Sequence, residues 1–422
     1  MLSIEACRTP KDSSTVLRSF SKSILTIFPF AFFLMLMVTP YLAQATATEA
    51  ILHSFTCGAA DGCNPAAGVV LDSNGNLYGT TQSGGAYGGG VVFKLSTSGT
   101  LTILHSFNPS AGDGSYPQAG VVFGPDGNLY GTTYLGGTYG GGTVYTVTPS
   151  GTGTETVLYN FTGAADGCSP NAGVVFDSEA NLYSTALYCG AYGWGTVFKL
   201  SPSGSGIGTG PFTTLHGFTG GNDGGYPLAG LLLGPGSEGN LYGTTYQGGT
   251  HGFGTVFKVT SSGKETVLHS FNANGKDGFL PEAGLVPGST GNVVGTTNKG
   301  GTVGVGTVFE VSVSGIETII YSFKAGKDDG ISPNTGLVTT GTNEGCGVTY
   351  YGGAYDLGTV YCGNTSGAET VLHNFVHNGK DGYNPNGPLA LDKSGNLYGT
   401  TVNGGNGGCG VYGCGTVFKI VP

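Results

Sequence analysis

Charged side chains are scarce in this chain. Asp, Glu, Lys and Arg make up 9% of its 422 residues. No stripe of Lys or Arg occurs, which argues against nucleic acid and anionic membranes as partners. Helical periodicity is missing outside an N-terminal leader, so bundles and α/β folds are excluded. Only one apolar run approaches membrane length, and it lies in that leader. Metal and catalytic spacings are also missing. Cys57-x5-Cys63 and Cys409-x4-Cys414 match no common zinc pattern, and no histidine sits in either loop. No Ser/His/Asp set or paired carboxylates can be assembled from spacing. G-x-G strings abound, but no helix follows them, so they do not mark a dinucleotide site. No cofactor and no metal site are expected.

What is abundant is glycine, 83 residues. It follows no G-X-Y period, which excludes collagen, and it is interleaved with aromatic and β-branched residues, unlike a disordered tract. One phrase recurs seven times: T-V-L-H-S-F, a D-G-x-x-P loop, A-G-L-V-x-D-x-x-G-N-L-Y-G-T-T, G-G-x-Y-G-x-G and T-V-F-K-L. Its anchors are Phe55, Phe107, Phe161, Phe218, Phe271, Phe323 and Phe375, spaced by 52, 54, 57, 53, 52 and 52 residues. A fixed period of that size means stacked structural repeats. Each unit reads as four short strands, in the first unit Ala67–Asp72, Leu77–Gln82, Val91–Leu95 and Leu101–Phe107. The Asp72–Asn76 turn between the first two is a hairpin signal.

Four strands per unit predict an all-β, seven-bladed β-propeller, with a β-solenoid as the weaker alternative. The ends of the chain favour the ring. The last unit stops at Pro422 after its third strand, and Glu49–Phe55 is a fourth strand with no preceding three. The N-terminal strand is therefore expected to close the last blade, leaving no exposed edge.

Ile24–Val38 is an apolar run preceded by Arg8, Lys11, Arg18 and Lys22 and followed by Ala43-Gln44-Ala45. This predicts a signal peptide over residues 1–45 and a propeller over 46–422; the alternative is a retained anchor, since Ile24–Ala43 is just long enough to span a bilayer. The formal charge is −10, and removing a leader with four basic and two acidic residues leaves about −12. Eight cysteines remain, consistent with an oxidising compartment. The simplest expected pairing is Cys346 with Cys362 and Cys168 with Cys189, with Cys57 and Cys63 bridged to Cys409 and Cys414 across the chain ends. Local Cys57–Cys63 and Cys409–Cys414 bridges are the alternative.

In a four-stranded blade, the between-blade loops and the loops joining strands two and three share one face. That face would carry Asp61, Asp113, Asp166, Asp223, Asp277, Asp329 and Asp381, each in an Asp-Gly step, and Tyr87, Tyr139, Tyr192, Tyr355 and Tyr412. The aspartates read first as turn caps and second as an acidic ring for cations or hydroxyl-rich ligands. The tyrosines read either as rings packed on a neighbouring blade or as a stacking surface for sugars or peptides. His53, His105, His216, His269 and His373, replaced by Tyr159 and Tyr321 in two units, read as structural. Asp72, Asp177 and Asp392 resemble the start of a calcium loop, but the rest of that pattern fails. Trp194, His251, Glu282, Lys299, Asp356 and His377 are the polar or aromatic residues that break the repeat.

Gly75–Thr81, Gly195–Leu200 and Thr266–Phe271 carry a resemblance to the GloVer tandem repeat of secreted bacterial "choice-of-anchor" proteins, over nearly all of residues 49–422. The hairpin pattern is also similar to NHL-type propellers. The resemblance implies no catalytic activity and supplies no active-site residues. The expectation is a secreted or cell-surface, monomeric, non-catalytic propeller that binds an extracellular glycan, peptide or surface component, without nucleic-acid or membrane partners. A polysaccharide-active hydrolase or lyase and a structural matrix component are the alternatives.

Overall fold

The computed structural model describes residues 47–234, 239–341 and 344–422. The expected leader lies outside the described residues. Each repeat forms a meander of four antiparallel strands. In blade 1 these are Val70–Leu71, Leu77–Thr81, Val91–Leu95 and Leu101–Ser106. The same order recurs in the following five blades, and a seventh blade completes a propeller.

That seventh blade joins the two ends of the chain. Ala390–Leu391, Leu397–Gly404 and Thr416–Val421 supply its first three strands, and Thr48–Ser54 is its outermost strand. Ile51 stands opposite Phe418 and Ser54 opposite Thr416. The closing strand shares two features with the others. The Phe55 N–H donates to the Gly415 carbonyl at 3.0 Å, as that of Phe107 does to Gly90 and that of Phe271 to Gly254. All seven outer strands also carry a one-residue bulge, at Leu52, Leu104, Leu158, Leu215, Leu268, Ile320 and Leu372. A bulge re-aims the residue beside it, here the histidine or tyrosine that follows each of these positions.

The innermost strands are shorter than the sequence suggests. In blade 1 only Val70–Leu71 pair, not Ala67–Asp72. Close to the blade 7–blade 1 seam, backbones also crowd at the propeller axis. A Cβ on Gly68 would sit 2.2 Å from the Pro388 carbonyl oxygen, and one on Gly120 would sit 2.7 Å from that of Gly68. At Gly68 and Gly120 the A-G step thus permits an approach that a side chain would block, whereas at Gly173, Gly230 and Gly284 a Cβ would meet nothing nearer than 3.7, 3.5 and 3.6 Å.

Buried phenylalanines knit blade to blade. Phe55 meets Phe93 edge to face at 5.4 Å, Phe271 meets Phe309 at 5.1 Å and Phe375 meets Phe418 at 5.2 Å. The first threonine of each G-T-T adds a polar tie. Thr80 donates to the Ala119 carbonyl, Thr132 to Ala172, Thr244 to Ala283 and, across the closure, Thr400 to Ala67 at 2.7 Å. At the opposite turns, Asp72 accepts from Asn74, Asn76 and Tyr78, and Asp392 from Ser394, Asn396 and Tyr398. Asp177 is held in the same way by Glu179, Asn181 and Tyr183. Burial alone would raise these carboxyls, but the hydrogen bonds outweigh it and hold them below the usual range. Their acceptor capacity is spent on the turn, in keeping with a hairpin rather than a calcium loop.

Four disulfides form, and one expectation is corrected. Cys168–Cys189 and Cys346–Cys362 pair as the simplest scheme has it, but Cys57 bonds Cys63 and Cys409 bonds Cys414. The local pairing follows from loop shape. Cys57 adopts φ 58° and donates to the Gly62 carbonyl at 3.1 Å, which folds it back to a Cα distance of 4.7 Å from Cys63. A 3-10 turn over Gly410–Tyr412 brings Cys409 within 5.3 Å of Cys414. Both distances suit a bridge. Ring closure therefore rests on strand pairing and packing, not on a covalent staple.

Candidate ligand-binding face

The Asp-Gly loops and the tyrosine loops lie side by side. Gly62–Cys63 pairs with Ser83–Gly84, Gly278–Phe279 with Lys299–Gly300 and Gly330–Ile331 with Tyr351–Gly352. The second glycine of each Gly-Gly step donates to the preceding loop. Gly85 reaches the Asp61 carbonyl at 2.7 Å, Gly137 that of Asp113 at 2.7 Å, Gly353 that of Asp329 at 2.8 Å and Gly405 that of Asp381 at 2.8 Å. The two loop types thus form one continuous surface.

On that surface the aspartate side chains turn inward. Each carboxylate meets the bulge-aimed residue of the preceding outer strand. His53 Nε2 lies 3.2 Å from Asp61, His105 2.8 Å from Asp113, His216 3.3 Å from Asp223, His269 3.2 Å from Asp277 and His373 3.3 Å from Asp381. Tyr159 and Tyr321 donate to Asp166 and Asp329 at 3.0 and 2.9 Å. Histidine and tyrosine can exchange here because both offer a donor at the same reach. The carboxylates also accept backbone N–H groups, from Thr56 to Asp61, Lys324 to Asp329 and Val376 to Asp381. Burial pushes Asp61 and Asp166 up, but His53 and Thr56 at the first, and Thr162 and Tyr159 at the second, bring both below the ordinary value.

The tyrosines turn outward. Tyr87, Tyr139, Tyr192, Tyr355 and Tyr412 are all 58–69% exposed. None is packed away against a neighbouring blade. His251 and Val303, their counterparts in the other two repeats, are exposed as well. A second set of aromatics breaks the symmetry over blades 2 to 4. Tyr188 meets Tyr226 edge to face at 5.4 Å, and Trp194 lies 4.6 Å from Tyr226. Trp194 covers Gly220, where a Cβ would fall 2.2 Å from the indole ring. Tyr226 and Tyr116 adopt φ 58° and 54°, a costly conformation for bulky residues. Their N–H groups are held by the Trp194 and Gly89 carbonyls at 2.9 and 2.8 Å.

Sequence reasoning singled out Trp194 but missed Tyr116, Tyr188 and Tyr226. The signal was present in Ser115-Tyr116-Pro117 and Gly225-Tyr226-Pro227, an aromatic at a positive-φ loop position that the other repeats fill with Asn, Ser or, at Leu280, leucine. It missed also the glutamates that open the outer strands. Burial, then Asp223, pushes Glu265 up to about 7; burial, then Asp329, does the same to Glu369.

At the axis, the A-G-L-V segments enclose a channel of about 520 Å³. Its walls are backbone, Ala, Val and Leu, with Gln118, Asn171, Asn334 and Asn386 among the polar residues. Glu282 is the ionisable side chain in that lining among the described residues, and burial holds its carboxyl above the ordinary value against Asn298 and Lys299.

The Gloeobacter/Verrucomicrobia repeat matches residues 38–175 and 136–346. No curated protein matches the chain. Among solved structures, similarity extends to the periplasmic gluconolactonase of Pseudomonas aeruginosa, at 16% identity, covering 74% of this chain and 85% of that one with a TM-score of 0.48. A Bacteroides uniformis protein assigned as a 6-phosphogluconolactonase matches at 14% identity, 78% and 89% coverage and a TM-score of 0.48. A puromycin hydrolase matches at 10% identity over 79% of this chain and 49% of its own, with a TM-score of 0.46. Likenesses this distant carry no argument about activity.

Proposed function

We propose that the chain, which belongs to the Gloeobacter/Verrucomicrobia repeat family, is a secreted, non-catalytic propeller that binds an extracellular glycan, peptide or surface component on its tyrosine-bearing face. The observation that carries this reading is the ring of exposed tyrosines on rigid glycine loops, joined by the Tyr188–Trp194–Tyr226 cluster. Flat rings with a polar edge stack on the apolar faces of sugars and on peptide side chains. The loops beneath them are fixed by backbone hydrogen bonds, so little ordering entropy is lost on binding. The aspartates of the same face turn inward to the histidines, tyrosines and backbone N–H groups of the loops, which leaves the aromatics as the outward-facing chemistry. Four disulfides and the apolar leader support export to an oxidising compartment.

Glu282 favours a second reading, an enzyme acting on extracellular polysaccharide. A half-buried carboxyl held above its ordinary pKa in a channel suits an acid catalyst. One screen separates the two. The mature protein is applied to a glycan array and, in parallel, incubated with the glycans it retains. The binding reading expects retention without turnover, and loss of retention in Tyr87→Ala/Tyr139→Ala/Tyr192→Ala with the circular dichroism unchanged. Turnover abolished by Glu282→Gln would replace it with the enzyme reading. Retention that survives the tyrosine changes but falls on altering the Asp72–Asn76 and Asp392–Asn396 turns would move the site to the other face.

A further inference from the structure

The seams between blades hold a chemistry that a single repeat does not contain. At three of them a histidine from one outer strand, an aspartate from the following loop and a glutamate from the next outer strand converge. They are His105, Asp113 and Glu155 between blades 1 and 2, His269, Asp277 and Glu317 between blades 4 and 5, and His373, Asp381 and Glu49 between blades 6 and 7. Within each set the ligand-type atoms lie within 4.8 Å of one another.

Asp113 accepts on both oxygens, from Gly114 on one and from Asn108 and His105 on the other, but the other carboxylates in these sets are not fully satisfied. The Asp277 and Asp381 side chains are 9% and 4% exposed, yet each keeps one carboxylate oxygen without a hydrogen-bond partner. An oxygen of Glu155 and Glu317 is likewise buried without a hydrogen-bond partner, as is one each of Glu265 and Glu369 outside these sets, and the corresponding Glu49 oxygen has only His373 at 3.7 Å. Among the described residues, the ion pairs at these carboxylates are to histidine alone. A buried acceptor without a partner costs stability, and two facing carboxylates repel. One cation between them removes both costs.

We propose that these three His–Asp–Glu clusters are binding sites for a divalent transition-metal ion of the zinc class. One imidazole nitrogen, released as its proton is lost from the hydrogen bond to the aspartate, and two carboxylate oxygens suit such an ion. The nitrogen ligand disfavours Ca²⁺ and Mg²⁺, which prefer oxygen throughout. Each ion bridges two blades. At the seam between blades 6 and 7 it ties Glu49, on the N-terminal strand, to the loop of its neighbour and so reinforces ring closure. The other seams supply internal controls. Leu101 replaces the glutamate beside His53 and Asp61, and Phe212 stacks on Tyr159 at 4.0 Å where another would stand. Glu265 opens the outer strand facing His216 and Asp223 but is not gathered into such a set.

The test uses the purified protein, stripped with EDTA and titrated with Zn²⁺ or Ca²⁺ by calorimetry and thermal melting. The expected result is three Zn²⁺ per chain with a rise in Tm, and no comparable rise with Ca²⁺. Glu317→Gln and Glu49→Gln should each lower the count by one, to two, and together to one. Glu265→Gln should leave three. The glutamine variants keep side-chain shape, and circular dichroism of the metal-free forms confirms their fold. Failure of Zn²⁺ to bind at these sites, an equal response to Ca²⁺, or equal loss in Glu265→Gln would overturn the proposal. Metal-free clusters would then hold a shared proton instead.

Discussion

Replacing Phe55 by alanine probes the junction of the two chain ends. Phe55 is fully buried, sits in one cluster with Val69, Leu77, Val91, Phe93 and Leu95 of blade 1 and Val417 of blade 7, and meets Phe93 edge to face. Removing a buried phenylalanine ring costs about 3–5 kcal/mol. Phe271 makes the same contacts at an interior seam, with Val256 and Phe309. If the ring is closed as described, Phe55→Ala and Phe271→Ala should cost the same within about 1 kcal/mol. For a propeller of this length, about 4 kcal/mol corresponds to a Tm loss of roughly 5 °C. Thermal melts of both variants beside the parent protein give the comparison. A near-zero shift for Phe55→Ala with the full shift for Phe271→Ala would refute closure by the N-terminal strand.

Other perturbations reach different parts of the account. Glu265 and Glu369 have folded pKa values raised to about 7 from an ordinary 4.5, so the stability they confer is complete below pH 4.5 and is lost as pH rises through 7. In EDTA, Glu265→Gln and Glu369→Gln should each flatten the fall in Tm between pH 5 and 8. His216, held below its ordinary value by burial, acts in the opposite sense, so the variant-minus-parent difference is the readout; identical slopes would refute the assignment. Thr400→Val removes the hydroxyl that donates to Ala67 across the closure and should cost about 1 kcal/mol in denaturant melts; no change would mean that tie is idle. Peptide mapping without reduction should recover Cys57–Cys63 and Cys409–Cys414 as separate linkages, and a crosslinked pair of end peptides would contradict the loop geometry. N-terminal sequencing of exported protein should begin after Ala45; an intact leader would favour a retained anchor.

The repeat, the strand count and the closure were legible because each follows from local pattern: a fixed period, hairpin turns and a fourth strand without its three predecessors. The Asp-Asn-Tyr turn was legible as a turn for the same reason. The inner strands were overestimated because A-G-L-V reads as a strand, while only its last residues pair with the second strand, as Val70–Leu71 do in blade 1. The end cysteines were misassigned because sequence places them on one face but does not give loop direction, which Cys57 reverses with its positive φ. The His–Asp–Glu sets escaped notice because their glutamates come from the next repeat and are reached only through the bulge that turns each histidine. Tyr116 and Tyr226 were passed over because a bulky residue before proline reads as extended, and the structure holds both in the left-handed region.

Amide hydrogen exchange of the protein with and without the ligand retained on the array tests the central claim most directly. The account predicts new protection in the loops around residues 86–89, 138–141, 188–194 and 225–227, with the turns at 72–76 and 392–396 unchanged. Protection confined to those turns, with the tyrosine loops unaffected, would contradict it.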